Sequence, residues 1–429
     1  MTAPRFPLSD SPRLWGTAVS HYQVEGGDPC DWSAWEAAGR TRGGPCGPAV
    51  DSWRRYEEDA DLAAAIGANA FRFSISWSRV EPRRGAFDDA ALERYVRFTD
   101  HLRARNLEPV VTLFHYTHPL WFHEETPWHS PRSVDAFARF ARRVASALAG
   151  RARVWTILNE PLVFLLAGYV GGQIPPGFTD PRLARRALAH LLEAHAASAA
   201  ALREVDPRAA VGIAHNMMAF APDRPLHPLD CLLSRTADRF YNLALLEAFA
   251  TGRWSFYLPP ATWLRGRCDA LPASLDFIGV NLYSRLHLRC PGSGRIGDFH
   301  YRDASGRGLS DNGWEIAPDT ALPLLRAAAA FGLPLVITEN GVADARDAIR
   351  TEFLTAYADV LRRAEEEGIP IAGYFHWSLL DNFEWLEGYA PKFGLFEVDR
   401  RTMNRIERPS AALFRRLGAE FLARPAARA

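Results

Sequence analysis

A chain of 429 residues, 48% of them hydrophobic, is long enough to bury the core of a large globular domain. Its formal net charge of +0 supplies no global field to draw in nucleic acid or an anionic membrane. Residues 1–5 lack the apolar core of a signal peptide, and no run of about 18 apolar residues marks a membrane span, so a cytoplasmic location is expected. In chain order, β-branched and aliphatic runs predict strands over residues 14–18, 70–75, 109–114, 154–158, 210–214, 275–281, 335–338 and 371–375. Amphipathic or Ala/Arg-rich stretches between them predict helices over 53–66, 90–105, 133–149, 183–205, 237–250, 319–331 and 351–367, with a last helix after Pro409. Eight alternating strand–helix units favour a parallel β/α architecture, and eight is the number of strands that closes a barrel. With no low-complexity linker and no short repeat, residues 1–429 read as a single (β/α)8 domain, a TIM barrel. Such a barrel needs about 250 residues. The surplus falls in long loops after the first strand (20–52), the third (115–132), the sixth (283–317) and the eighth (377–408).

The five cysteines, Cys30, Cys46, Cys231, Cys268 and Cys290, are odd in number and scattered. Cys30 and Cys46 share one loop and could approach each other, but free thiols are the expectation. No CxxC pair or Cys/His cluster has metal-ligand spacing, so a structural zinc site is not expected. The 13 tryptophans offer flat faces of the kind that suit sugar rings, although core packing uses indoles equally well.

Two glutamates stand apart. Glu160 closes the apolar run ending Leu158-Asn159-Glu160-Pro161, and Glu339 sits in Ile337-Thr338-Glu339-Asn340-Gly341. Each is placed where a buried strand emerges into a loop. A carboxylate there is costly to bury without a partner, which favours chemistry over packing. Two of them suit a reaction needing an acid and a nucleophile together, and cleavage of a glycosidic bond is the commonest such reaction. In a parallel barrel the strand C-termini share one face, and the fourth and seventh strands lie across its mouth from one another. That face would gather Gln23, Arg72, His115, Asn159, Glu160, Asn281, Tyr283, Glu339, Trp377, Glu384 and Trp385, with Glu160 and Glu339 on opposite walls.

Seven motifs occur in order, over residues 16–26, 71–79, 112–115, 159–161, 279–283, 337–341 and 377–385. On these the chain resembles the glycoside hydrolase family 1 β-glycosidases from about residue 14 to 409. The resemblance implies a retaining double displacement with Glu339 as nucleophile and Glu160 as acid/base. It implies that Arg72 lowers the pKa of Glu339 and keeps it ionised. Tyr283 would hydrogen-bond the nucleophile, Asn159 would hold the sugar 2-hydroxyl, and Asn281 would orient its neighbours. Gln23, His115 and Glu384 would clamp the remaining hydroxyls, with an ionised Glu384 accepting from two vicinal ones. Trp377 and Trp385 would form floor and wall, and Trp314 would face the aglycone.

The sequence also departs from the family pattern. After His115, where an aromatic, an acidic residue and Leu-Pro are usual, it reads Tyr116-Thr117-His118-Pro119-Leu120, which bears on the pocket rim. The triplet after the sixth strand reads Asn281-Leu282-Tyr283, and residues 221–275 match weakly. The reading that results is a retaining exo-β-glycosidase acting on a small-molecule β-glucoside or oligosaccharide, with galactosides and fucosides as further substrates and with no metal or organic cofactor expected. A transglycosylase using alcohol acceptors and a catalytically silent sugar-binding protein are the alternatives; the first is separated by product analysis, and the second loses a catalytic carboxylate that is present here.

Overall fold

The computed structural model describes Phe6 and residues 13–258, 262–290 and 298–424. Residues 1–5, read above for a signal core, lie outside these, as do residues 291–297 of the sixth-strand loop. Eight parallel strands, Leu14–Ala18, Ala70–Ser74, Glu108–Phe114, Val154–Asn159, Ala210–Pro222, Phe277–Arg289, Leu335–Asn340 and Ile371–Trp377, pair in sequence order. The eighth pairs with the first and the sixth with the seventh, so the sheet closes on itself as a (β/α)8 TIM barrel.

Strands wrapped by helices are buried on both faces, which is why they read as continuous apolar runs rather than alternating ones. Side chains from alternate positions fill the interior: Leu14, Ala70, Val110, Val154, Ala210, Phe277, Val336 and Ala372 form one cluster. Phe6 joins it, its ring 4.7 Å from that of Phe277. A larger cluster packs the outer strand faces against the helices. The last helix, Pro409–Ala423, returns to the first strand, setting Phe414 and Phe421 at 4.9 and 5.5 Å from Trp15. No helix among the described residues is long and apolar enough to cross a membrane. All five cysteines are free thiols.

The strands that carry the two glutamates are irregular at their ends. Register shifts interrupt the fourth strand between Thr156 and Asn159, and the seventh between Ile337 and Glu339. Such bulges re-aim side chains, and here they lie beside Glu160 and Glu339. Four features differ from expectation between the fifth strand and the eighth. The fifth and sixth strands run on well past residues 214 and 281, pairing beyond the rim as far as Pro222 and Leu288. The single helix expected over 237–250 is instead a helix Pro228–Ala237, a π-helical turn Asp238–Leu243 and a helix Ala244–Thr251. An unexpected hairpin, Arg253–Leu258 with Thr262–Arg267, follows it. The helix expected over 319–331 begins as a 3-10 turn, Pro318–Thr320, and continues as Ala321–Ala329.

Gly341 shows how tightly the rim is built. A Cβ at this position would lie 1.8 Å from the Trp377 carbonyl oxygen, so the chain can turn here, two residues beyond Glu339, only with a glycine. Gly341→Ala is expected to destabilise the protein by about 1–3 kcal/mol through overpacking. Urea unfolding checks this, and a change under about 0.5 kcal/mol, the size of an ordinary surface effect, would contradict it.

Candidate active site

The C-terminal rim of the barrel surrounds a pocket of about 600 Å³. His115, Asn159, Glu160, Tyr283, Trp314, Glu339, Trp377, Glu384 and Trp385 line it, so nine of the twelve residues singled out in the sequence face one cavity. The other three, Gln23, Arg72 and Asn281, lie fully buried behind them and hold them in place.

Arg72 is the hub. From the second strand its Nη1 donates to Glu339 Oε1 at 2.6 Å and to the Thr338 carbonyl at 3.1 Å, while Nη2 donates to Asn159 Oδ1 at 2.6 Å. Tyr283 Oη donates to the other Glu339 oxygen at 2.7 Å. Asn281, register partner of Glu339 on the neighbouring strand, donates to Asn159 Oδ1 at 3.2 Å and to Glu160 Oε1 at 2.8 Å. Thr338 Oγ1 donates to Asn281 Oδ1 at 2.6 Å and so fixes that amide's orientation. The two glutamates therefore stand on one polar scaffold.

Glu160 occupies the residue before the short helix Pro161–Leu165, in the left-handed backbone region at φ 47°. Sequence reading missed its two further partners. Asn216 Nδ2 donates to Oε1 at 3.0 Å, and the Tyr116 hydroxyl donates to Oε2. Asn216 lies two residues past the expected end of the fifth strand, and Tyr116 adjoins His115, so only their side-chain directions were illegible.

On the opposite side, Glu384 Oε1 accepts from Trp377 Nε1 at 3.0 Å and from Gln23 Nε2 at 3.3 Å. Gln23 is itself fixed by Ser20, whose hydroxyl donates to it at 2.7 Å, and by donating to the Phe383 carbonyl at 2.8 Å. The His115 ring stacks on Trp377 and Trp385 at 5.9 and 6.2 Å, and its Nε2 lies 3.2 Å from Asn159 Nδ2. Trp314 meets the edge of Tyr283 at 5.5 Å.

Burial decides the charge states. It raises Glu339 to about 7; Arg72 and the Tyr283 hydrogen bond pull it down, while Glu160 pushes it up. Arg72 thus acts in the expected direction, and burial outweighs it. Burial likewise raises Glu384 to about 8, against the hydrogen bonds from Trp377 and Gln23, so its protonated form is favoured at neutral pH over the ionised, acceptor-only one expected. Burial and Arg72 depress His115 well below its usual value, leaving it a neutral imidazole. Burial and the neighbouring glutamates lift Tyr116 and Tyr283, which stay protonated as donors.

The fold also assembles a group that sequence spacing hid: Asp31, His118 and His123 bring ligand-type atoms within 4.8 Å of one another, with His118 Nδ1 3.3 Å from Asp31 Oδ2. Asp31 Oδ1 also accepts the His118 backbone N–H at 3.0 Å, tying the loop after the first strand to that after the third. None of the three lines the pocket.

The model of the family described as glycosyl hydrolase family 1 matches residues 9–420. A 1,4-beta-D-glucan glucohydrolase of Thermotoga neapolitana is 32% identical over 423 residues, covering 92% of this chain and 98% of its own. A beta-galactosidase of Pyrococcus woesei is 28% identical, covering 94% and 96%. Among solved structures, beta-glucosidase from Thermotoga maritima in complex with deoxynojirimycin superimposes with a TM-score of 0.85 at 30% identity, over 94% of this chain and 97% of the other.

A folded-state pKa above the unfolded value contributes stability that is full at low pH and lost as pH rises through the folded value. For Glu384 the window runs from about 4.5 to about 8. Glu384→Gln is therefore expected to raise stability at pH 9 by on the order of 1–2 kcal/mol and leave it unchanged near pH 4. Thermal unfolding at both pH values checks this; equal effects at the two would contradict the burial argument.

Proposed function

We propose that this chain, which belongs to glycosyl hydrolase family 1, is a retaining exo-β-glycosidase that removes terminal β-D-glucosyl residues, with β-galactosides and β-fucosides as secondary substrates. The observation that carries the reading is the joint scaffold of Glu160 and Glu339, two buried carboxylates tied through Asn281 and Arg72 at one pocket. Retaining enzymes need their carboxyl groups about 5–5.5 Å apart. Glu160 acts directly on the Glu339 carboxyl, pushing its pKa up, and facing carboxyls this strongly coupled suit that separation.

In the first step the ionised Glu339 attacks the anomeric carbon while Glu160 gives its proton to the glycosidic oxygen. The aglycone leaves as an alcohol and a glycosyl ester forms on Glu339. Arg72 and Tyr283 hold the attacking carboxylate until that bond forms. Glu160, now ionised, then takes a proton from water as the water attacks the same carbon, releasing the sugar with its configuration kept. Asn159, fixed by Arg72 and Asn281, would hold the 2-hydroxyl, and His115, whose Nδ1 has no hydrogen-bond partner among the described residues, would offer it to a further hydroxyl. Because Glu339 must be ionised, kcat/KM is expected to fall as pH drops through about 7.

Glu339→Ala is expected to nearly abolish turnover, with added azide restoring it and giving the inverted glycosyl azide. Glu160→Ala is expected to cost about 10²–10⁴-fold on alkyl glucosides and far less on activated aryl glucosides, whose leaving groups need little protonation. Equal losses on both substrate types would refute the role given to Glu160.

The same geometry favours unphosphorylated sugars. The wall beyond Glu384 is Pro391 and Phe393, both lining the pocket. Between them the Lys392 backbone carbonyl accepts from the Asp344 N–H and from Arg350 Nη2, each at or below 2.8 Å. A phosphate dianion would meet the Glu384 carboxyl and two apolar side chains, with no lysine or arginine among the described lining residues to balance its charge. Aryl β-glucoside is expected to exceed its 6-phosphate in kcat/KM, and the reverse order would sink this reading of Glu384.

A further inference from the structure

A second cavity of about 330 Å³ adjoins the first, with Leu166, Met218, Tyr241 and Leu286 lining both. It is built where the chain departs most from expectation: the overhanging fifth and sixth strands, the helix Pro228–Ala237, and the hairpin around Phe256 and Leu264. No charged side chain lines it among the described residues. Two π-helical turns, Leu166–Val170 and Asp238–Leu243, flank the junction and supply Leu166 and Tyr241 to it. Such turns recur at functional sites because they displace side chains that a regular helix would align.

The side of the catalytic pocket that opens here is the Glu160 side. Tyr241 Oη donates at 2.7 Å to Asn216, which donates at 3.0 Å to Glu160. The group that protonates the glycosidic oxygen must face the leaving group, so the bond from sugar to aglycone points past Asn216 toward Tyr241. Beyond Tyr241 the walls are mostly apolar, continued by Phe240, Phe256 and Leu264, with Thr236 and Tyr257 the further hydroxyl-bearing residues among the described lining. A second sugar lying along this path would bury more hydroxyls than these few groups, of which Thr236 and Tyr241 already donate elsewhere, can satisfy, whereas an alkyl chain needs no polar partner.

We propose that this cavity is an aglycone arm that selects β-glycosides carrying an extended apolar aglycone, of the chemical class of medium-length alkyl glucosides. The assignment rests on the functional reading above, since it uses Glu160 as the proton donor. The arm's volume is at the lower end for a small-molecule pocket of about 300–1,000 Å³, which suits one flexible chain better than a polycyclic group. Methyl, butyl, hexyl and octyl β-D-glucosides, below the concentration at which they form micelles, give the test, with an aryl β-glucoside measured alongside.

From methyl to octyl, kcat/KM is expected to climb by about two- to fourfold per methylene. Ala237→Phe, which puts a ring into the arm from the end of its helix, is expected to lower the octyl-to-methyl ratio by at least tenfold. A general loss of activity leaves that ratio where it was, so the ratio separates a blocked arm from a damaged enzyme. A flat series with the aryl glucoside still cleaved would overturn the arm alone, and so would a rising series whose ratio Ala237→Phe leaves intact. Failure to cleave any β-glycoside would overturn the functional reading, and the arm with it.

Discussion

The buried guanidinium of Arg72 is the constraint on which the site depends. Its two terminal nitrogens engage Glu339 and Asn159 at 2.6 Å each, joining the second, fourth and seventh strands beneath the pocket floor. A lysine could not reproduce this, because one ammonium lacks the planar fork that meets two partners in fixed directions. Removing one member of such a buried pair leaves an uncompensated charge, at a cost of about 3–5 kcal/mol. Around that anchor Asn281, Thr338 and Tyr283 complete their own hydrogen bonds, so each polar group is oriented before a ligand arrives. Preorganisation of this kind lets a site stabilise developing charge without reorganising at the moment of reaction.

Burial and pairing oppose each other throughout the pocket. Glu339 and Glu384 are both pushed above the ordinary carboxylate range, chiefly by loss of solvent, although each has strong donors. A site that holds acids away from their preferred charge state carries a stability cost above neutral pH. The burial that offsets such a cost lies in the closed barrel with its filled interior.

Much of this was legible in the sequence because parallel, doubly covered strands leave an unmistakable trace. The runs Val110–Phe114 and Val154–Leu158 are almost wholly apolar, Arg72 stands out as the one charge between Phe71 and Phe73, and their spacing fixes the barrel. The polar residues at the strand ends were legible for a related reason, since a charged group interrupting such a run has little structural excuse. What escaped the sequence was the region from Asn216 to the hairpin. There the strands leave the barrel, lose one buried face and mix Asn216, Met217, Met218 and Pro222, so their periodicity disappears. The π-helical turns escaped too, because an extra residue in one turn is set by packing rather than by local propensity. Arg72 was recognised as the partner of Glu339, yet the outcome of its contest with burial depends on how completely the site is enclosed.

The central claim is that Glu339 is the atom-for-atom acceptor of the sugar and Glu160 only its proton partner. Trapping tests this directly: an activated 2-deoxy-2-fluoro-β-glucoside slows both steps, and the fast departure of its leaving group lets the glycosyl enzyme accumulate. Peptide mass spectrometry of the trapped protein is expected to find the added fluoroglucosyl mass on the peptide containing Glu339. Label on the peptide containing Glu160, or rapid turnover to an α-configured product with no labelled protein, would contradict the account.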